Sequence, residues 1–313
     1  MVRHLIKQGY EVNVSDNFGC TPLHYSSMLN VLHCSNGDCV SKNCTEINAN
    51  MGIMDVLLQS GANVNQPDRG WGTPLYIAVM TGNPQVVRNL LYNECFNGGL
   101  AIELDDISVK NSDSNTPLHL AVEMGNQEIV ELLLAKGANA DASNKNGESP
   151  FGIAIRKGNM DIINKLKPYI DINFRNSFNE ETYLHYAVAE KNSYVVSYLL
   201  RRGVDINAQN IYNETPLHYS VKRMDTGITE MLLGDGANVF AENVYRKTPL
   251  YYAMKAKNME FFRLLLQKNS NHQYAIHFAV IWQNIDLIKN LVNGGDVNLK
   301  FKDDGIICNS EKD

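Results

Sequence analysis

Hydrophobic and polar positions recur along this chain with a fixed period. Segments that open on Thr-Pro-Leu or a close variant begin at Thr116, Ser149, Thr182, Thr215 and Thr248, each 33 residues after the one before. In each of them a short apolar run is followed by a polar break and then by a second run with apolar residues at helical spacing. This period predicts an array of short helix pairs that bury their apolar faces against one another.

The unit that begins at Thr116 shows how each predicted helix starts and ends. A proline follows the threonine, which is a common first position of a helix. Gly125 and Asn126 then interrupt the apolar run and separate the two helices. Gly137 follows the second helix, where glycine often ends a helix. A polar segment after Gly137 turns the chain back toward the next unit.

Further copies extend the array in both directions. They begin at Thr21, at Thr73 and, in a degenerate form, at Tyr274, with partial units at both ends of the chain. The wider spacing of the early copies leaves room for insertions near residues 30–50 and 94–114. We therefore expect one array over residues 1–313, with repeats that start near 21, 73, 116, 149, 182, 215, 248 and 274.

These recurring residues resemble the ankyrin-repeat family. The Thr-Pro-Leu-His turn, the central glycine, the paired leucines and a closing Gly-Ala-x-x-Asn, as in Gly61–Asn65, carry the resemblance over about residues 1–305. It implies an all-α fold, an ankyrin-repeat solenoid of helix pairs joined by β-hairpin-like turns. Three residues depart from the pattern: Tyr183 stands where proline is expected, and Glu180 and Arg246 stand where a glycine is expected in the turn.

The resemblance also explains the recurrent histidines. They occupy the fourth position of the repeat turn, where the family uses histidine to hydrogen-bond within the turn, and they are His24, His119, His185, His218 and His277. Equivalent positions one repeat apart cannot converge on one site in a linear stack. We therefore expect these histidines to be structural.

The charge and composition exclude some functions and leave the location broad. The chain has a formal net charge of −6, and nucleic-acid binding needs a basic surface, so nucleic acid is a poor candidate partner. No apolar run approaches the ~18 residues of a membrane span, and the start has no apolar signal-peptide run. We expect no membrane insertion and a cytoplasmic or more broadly intracellular location, with the nucleus left open and the cysteines reduced.

No catalytic motif is present, so we expect neither an enzyme nor a cofactor. The first insertion carries His33, Cys34, Cys39 and Cys44, which as three thiols and an imidazole have the chemistry of a zinc site. Four residues separate consecutive cysteines, whereas common zinc modules use two. This spacing favours a loop with free thiols over a metal site.

The resemblance implies that a partner contacts the hairpin tips and the exposed, concave surface of the first helices. The tips carry exposed apolar residues, among them Phe178, Tyr212 and Tyr245. Aromatic residues are enriched at protein interfaces, so we expect these three to contact a partner. The alternative is that each ring folds back over the neighbouring turn.

Counting seven and eight residues from each repeat threonine gives the concave helix positions. In the middle and late repeats these positions are basic, at Arg156, Lys157, Lys222, Arg223 and Lys255, and the last unit has Trp282. They predict a surface for an acidic partner segment with aliphatic anchors. The alternative is a solvated face whose charges pair with glutamates such as Glu148, Glu181 and Glu214.

The sequence therefore predicts a non-enzymatic protein–protein interaction module, a scaffold or adaptor that acts as a monomer and binds a partner protein. The alternative is the ankyrin segment of a longer protein, such as a membrane channel, a pore-forming toxin, an enzyme or a pathogen effector. The partial units at Val2 and at Lys300 to Gly305 favour this second interpretation.

Overall fold

The computed structural model describes residues 1–28, 52–70, 72–92, 107–256, 258, 261, 264 and 265. These residues belong to two compact units, Met1–Val204 and Asp205–Asp313. The described part of the chain is helical, and its only β pairing is an isolated antiparallel bridge between Arg175 and Thr182. The cysteines of the first insertion, His33, His277 and Trp282 lie outside the described residues.

The first unit is a series of short helices arranged in pairs. Helices α1 (Val2–Lys7) and α2 (Pro22–Met28) precede a helical stretch at residues 52–59, named α3. The pairs that follow are α4 (Pro74–Thr81) with α5 (Pro84–Tyr92), α6 (Pro117–Glu123) with α7 (Gln127–Ala135), α8 (Pro150–Lys157) with α9 (Met160–Leu166), and α10 (Tyr183–Ala189) with α11 (Ser193–Arg201).

The second unit continues the same arrangement with α12 (Pro216–Lys222), α13 (Thr226–Gly234) and α14 (Pro249–Lys255). Within each unit the first helix of one pair packs against the first helix of the next pair. In the first unit the second helices α5, α7 and α9 stack on one another in the same way. The all-α ankyrin-repeat fold expected from the sequence is confirmed.

The repeat residues define where each helix begins. The Thr116 side chain accepts a hydrogen bond from the backbone N–H of His119, and the His119 ring in turn accepts one from the backbone N–H of Thr116. This reciprocal cap satisfies two N–H groups that the helix itself leaves unpaired. Asn126, which the sequence predicts only as a break between helices, also caps the second helix, because its side chain accepts from the N–H of Ile129.

The core lies between the helices of neighbouring pairs. In the Thr116 repeat it contains Leu118, Ala121 and Val122 from α6, and Ile129, Val130 and Leu133 from α7, all at most 1% exposed. Full burial of an aliphatic side chain of this size contributes about 1.5–3 kcal/mol. No helix pair can bury these residues alone, so each repeat depends on the next for its stability.

The turn histidines connect successive repeats. In the Thr116 repeat the threonine N–H donates to Nδ1 of His119 over 3.1 Å, so Nδ1 is unprotonated and Nε2 carries the proton. Nε2 lies 3.1 Å from the carbonyl oxygen of Glu148, the residue before the next repeat, and donates to it. His24 and His218 make equivalent bonds to the carbonyls of Gly72 and Lys247. The geometry of His24, His119 and His218 therefore shows the structural role that the resemblance implies for them.

This arrangement requires a neutral imidazole. Burial lowers the pKa of His119 from 6.5 to about 4, because the protonated ring would lose its hydration inside the protein. Burial also lowers the pKa of His24 and of His218. All three rings are therefore uncharged at neutral pH and serve as inter-repeat hydrogen-bond bridges.

Tyr183 replaces the repeat proline and makes contacts that proline cannot. Its hydroxyl donates to the carboxylate of Asp141 and lies 2.8 Å from the hydroxyl of Ser149. Its ring stacks on Phe174 with centroids 4.7 Å apart and meets the edge of Phe151 at 4.8 Å. This buried aromatic cluster links three successive repeats of the first unit.

Candidate partner-binding surface

A buried asparagine organises the hairpin tips that carry Phe178, Tyr212 and Tyr245. At the tip before Thr215, Oδ1 of Asn210 accepts from the N–H groups of Tyr212, at 2.9 Å, and Glu214, at 3.0 Å. The Asn210 amide donates to the hydroxyl of Tyr219 on α12 over 3.1 Å. The turn is therefore fixed both by its own backbone and by the helix that follows it.

The neighbouring tips are built in the same way. Asn243 accepts from the N–H groups of Tyr245 and Lys247, at 3.0 and 2.9 Å, and donates to the hydroxyl of Tyr252 at 3.0 Å. Asn176 accepts from the N–H of Phe178 at 2.7 Å. A rigid frame thus holds the backbone of each predicted aromatic contact residue.

The aromatic rings at these tips face solvent. Phe178 is 74% exposed, Tyr245 69% and Tyr212 51%. A ring folded back over the neighbouring turn would be largely buried, so these exposures argue against that alternative. Exposure of an apolar ring contributes nothing to folding, because burial is what stabilises such a side chain.

In the second unit the apolar tip residues form one strip. The N–H of Val244 donates to the carbonyl oxygen of Tyr212 over 3.0 Å, which joins two successive tips. The strip, here named the tip strip, consists of Ile211, Tyr212, Val244 and Tyr245, all exposed. Contiguous exposed apolar residues of this kind are typical of a protein-binding surface.

The basic helix residues of the first unit are paired within the chain. Arg156 Nε lies 3.1 Å from Glu148 Oε1, and Lys157 Nζ lies 2.6 Å from Glu123 Oε1. The alternative of a solvated face with paired charges therefore describes these two residues. Exposed pairs of this kind contribute about 0–1 kcal/mol, so a partner carboxylate can displace them at little cost.

The basic residues of the second unit are only partly paired. Lys222 forms an ion pair with Glu214, and its ammonium lies 4.5 Å from the centre of the Tyr252 ring. Arg223 and Lys255 are exposed, and neither forms an ion pair with a described acidic residue. Two cations of this unit are therefore available to a ligand.

Glu214 connects the tips to the first-helix surface. Its carboxylate accepts from Lys222, at the end of α12, and from the amide of Asn243 over 3.1 Å. Asn243 in turn fixes the tip that carries Tyr245. A hydrogen-bond network therefore joins the tip that carries Tyr245 to the basic end of α12 within the second unit.

The structure divides the predicted contact residues between the two units. Arg156, Lys157 and Phe178 lie in the first unit, whereas Tyr212, Lys222, Arg223, Tyr245 and Lys255 lie in the second. Trp282 lies outside the described residues. Their role in binding stays a prediction. The hydrogen bonds of the second unit connect the tips that carry Tyr212 and Tyr245, and they connect Lys222 to the second of these tips through Glu214 and Asn243.

Sequence reasoning missed the exposed residues with left-handed backbone. Arg246 and Met224, with φ of +53° and +52°, stand where other repeats have glycine. The missing glycine was visible in the sequence at Arg246, but its backbone conformation was not. The tyrosines that receive the tip asparagines, such as Tyr219 and Tyr252, were also missed, although each directly follows the fourth position of its turn.

Other sites are not supported where the structure can be examined. The described residues contain no group of three or more His, Cys, Asp and Glu side chains placed to hold a metal ion. Burial raises the pKa of the Cys20 thiol, which is the opposite of the shift that activates a nucleophile. Among the described helices, none has the length and apolar character needed to cross a membrane.

Comparisons with known proteins agree with this architecture. The family model described as "Ankyrin repeats (3 copies)" matches residues 1–99, 43–144, 99–176, 133–210, 151–243 and 217–301. The comparison with curated proteins finds no match. A solved structure similar to this chain is the ankyrin repeat domain of Bcl-3, a member of the IkappaB protein family, at 23% identity and a TM-score of 0.57.

That similarity covers 75% of this chain and 94% of the Bcl-3 chain, and at this identity it shows the fold alone. The family model, by contrast, matches well over half of the sequence. The repeat period, the capped helix pairs, the histidine bridges and this match lead to one conclusion: the chain belongs to the ankyrin-repeat family.

Proposed function

We propose that this protein is a non-enzymatic interaction module, a scaffold or adaptor that binds a partner protein through its hairpin tips and first-helix surface. It acts as an intracellular monomer in this proposal. The observation that supports it most is the tip strip, an exposed apolar surface held on hydrogen-bonded turns. A rigid surface of this kind loses little conformational freedom when a partner covers it.

Tyr212 and Tyr245 are the main anchors in this proposal. Each presents a large ring with two side-chain torsions, so its immobilisation costs little entropy. Tyrosine is among the residues that contribute most to protein interfaces, where truncation to alanine at a central position costs about 2 kcal/mol or more.

Charge distribution in the second unit favours an acidic partner segment. Lys222, Arg223 and Lys255 lie at the ends of the first helices α12 and α14, whereas Glu230 and Asp235 lie on or just after the second helix α13. The ends of the first helices are therefore basic, although the tips themselves carry Glu214, which pairs with Lys222, and the exposed Glu242. Complementary charge accelerates association and makes it sensitive to salt.

Quantitative affinity capture tests this proposal. The purified chain, a Tyr212→Ser/Tyr245→Ser variant and a Tyr169→Ser control would each be immobilised and exposed to the same cell extract. Tyr169 is a matched control because its ring is 53% exposed but lies after α9, away from the tips. We expect proteins retained by the parent and the control to fall at least tenfold on the double variant.

Release of the same retained proteins when the salt concentration is raised would support the acidic-segment part of the proposal. Equal retention by all three proteins would contradict a tip-based interface. Retention that falls with Tyr169→Ser but not with the double variant would place the interface on another face of the molecule.

A further inference from the structure

The turn before Thr248 contains a residue whose backbone is unfavourable for its type. Arg246 has φ of +53°, in the left-handed region, where its Cβ crowds the backbone. The equivalent residue is glycine in two earlier repeats, Gly19 and Gly147, with φ of +82° and +70°, whereas Ser114 and Glu180 hold it with φ of +62° and +57°. Asn213 occupies this position in the preceding repeat, and asparagine tolerates the left-handed region far better than arginine does.

The fold does not need the arginine side chain at this turn. The backbone N–H of Arg246 donates to the carbonyl of Asn243 over 2.8 Å, a bond that glycine would make equally well. The side chain is exposed, and no described residue forms an ion pair with it. Within the described structure, nothing that the guanidinium contacts offsets the strain of its backbone.

The left-handed backbone recurs at this position in other repeats, and what distinguishes the turn before Thr248 is an exposed cation beside an exposed aromatic ring. Arg246 directly follows Tyr245, the most exposed aromatic of the tip strip. Arg223 and Lys255 supply two further cations of the same unit that have no described acidic partner. The chemistry that matches this combination is a carboxylate beside an aromatic or aliphatic anchor.

We propose that Arg246 is a specificity-determining residue whose guanidinium binds a carboxylate of an acidic peptide segment that also places an apolar side chain on the tip strip. This inference rests on the proposed function and names the partner chemistry at that surface. Arginine presents paired N–H donors whose geometry matches the two oxygens of a carboxylate.

The test measures stability and binding on the same four proteins. The full chain, Arg246→Gly, Arg246→Ala and Arg246→Lys would be titrated against a fluorescein-labelled random copolymer of glutamate and tyrosine, followed by fluorescence anisotropy. Their thermal unfolding would be followed by circular dichroism. Asn213→Gly is the matched control, since it changes the same turn position one repeat earlier.

We expect Arg246→Gly to raise the midpoint of thermal unfolding by about 2–4 °C and to lower the affinity for the copolymer about tenfold or more. Arg246→Ala keeps the strained backbone, so it weakens binding without raising the midpoint. Arg246→Lys keeps the charge and gives intermediate affinity, because the paired geometry is lost. Asn213→Gly leaves both properties close to those of the parent.

Unchanged affinity in Arg246→Gly and Arg246→Ala would overturn the inference. If Tyr245→Ser lowered the affinity for the copolymer while these variants did not, binding at the tip strip would be supported and only the role of Arg246 would be refuted. If the parent failed to bind the copolymer, the acidic occupant would be wrong. Affinity capture with the Tyr212→Ser/Tyr245→Ser variant would then test, independently of the copolymer, whether the tips bind a partner protein.

Discussion

Acidification should weaken the repeat stack through His119 in particular. This ring bridges two repeats as a neutral imidazole, with Nδ1 accepting from the N–H of Thr116 and Nε2 donating to the carbonyl of Glu148. Protonation would place a hydrogen on Nδ1, where it faces the Thr116 N–H. The folded protein therefore resists protonation at this site, whereas the unfolded chain does not.

The sign and size of the effect follow from the two pKa values. The unfolded histidine takes up a proton near pH 6.5, but the folded one does so only near pH 4. The stability contribution is therefore fully present above pH 6.5 and is lost progressively as the pH falls toward 4. Between pH 7 and pH 4.5 the loss due to His119 alone is about 2–3 kcal/mol.

The assay compares the parent with His119→Gln, which removes the titrating group. Urea unfolding would be followed by circular dichroism at several pH values between 4.5 and 7.5. The variant is less stable at neutral pH because it loses a bridge. Its stability should nevertheless fall by about 2–3 kcal/mol less than that of the parent on acidification, since the other titrating groups are common to both proteins.

A titration of the His119 ring protons by NMR gives an independent check. We expect their chemical shift to change by at most about a tenth of the full titration shift between pH 7.5 and pH 5, because a ring with a pKa of about 4 is still almost entirely neutral at pH 5. A midpoint near pH 6.5, together with parallel pH profiles of parent and variant, would refute the requirement for a neutral bridging ring.

Three further substitutions test the turns and the Tyr183 cluster, each measured as the urea midpoint. Gly147→Ala should destabilise the protein by about 2 kcal/mol or more, because the added Cβ would lie 2.1 Å from Oδ1 of Asn176, the tip asparagine of the next repeat. Gly158→Ala adds its Cβ in open space and should cost about 1 kcal/mol, and equal costs for the two variants would refute the close contact. Lys191→Gly should stabilise by about 0.5–1 kcal/mol, since φ is +54°, and a loss would contradict backbone strain. Tyr183→Phe should cost about 1–3 kcal/mol through its lost bond to Asp141; an unchanged midpoint would contradict that bond.

Much of the fold could be predicted because the repeat chemistry is local. Thr116 caps α6 by accepting from the N–H three residues later, and Asn126 caps α7 in the same way, so the start of each helix is encoded within a few positions. The fixed period then dictates which apolar residues face one another. Tyr183 was recognised as a departure, but its partner Asp141 lies 42 residues earlier, and a contact at that separation is set by stacking rather than by local pattern.

The candidate surface could be predicted less completely. The exposure of Phe178 and Tyr245 follows from their position in the turn, and the structure has both rings facing solvent. The sequence indicates Glu148 and Glu214 as candidate ion-pair partners, and the structure pairs them with Arg156 and Lys222. The sequence does not indicate which basic residues have no such pair, because the reach of a flexible side chain decides that. Arg156 is paired with glutamates of the first unit, whereas Arg223 has no ion pair with a described acidic residue, although both occupy basic positions of the repeat.

Site-specific photocrosslinking tests the central claim most directly. A benzophenone side chain would replace Tyr212, Tyr245 or, as the control, Tyr169, and each protein would be irradiated in cell extract. The account predicts the same crosslinked partner from positions 212 and 245 and none from position 169. A partner captured from position 169 alone, or equally from all three, would contradict binding through the tip strip.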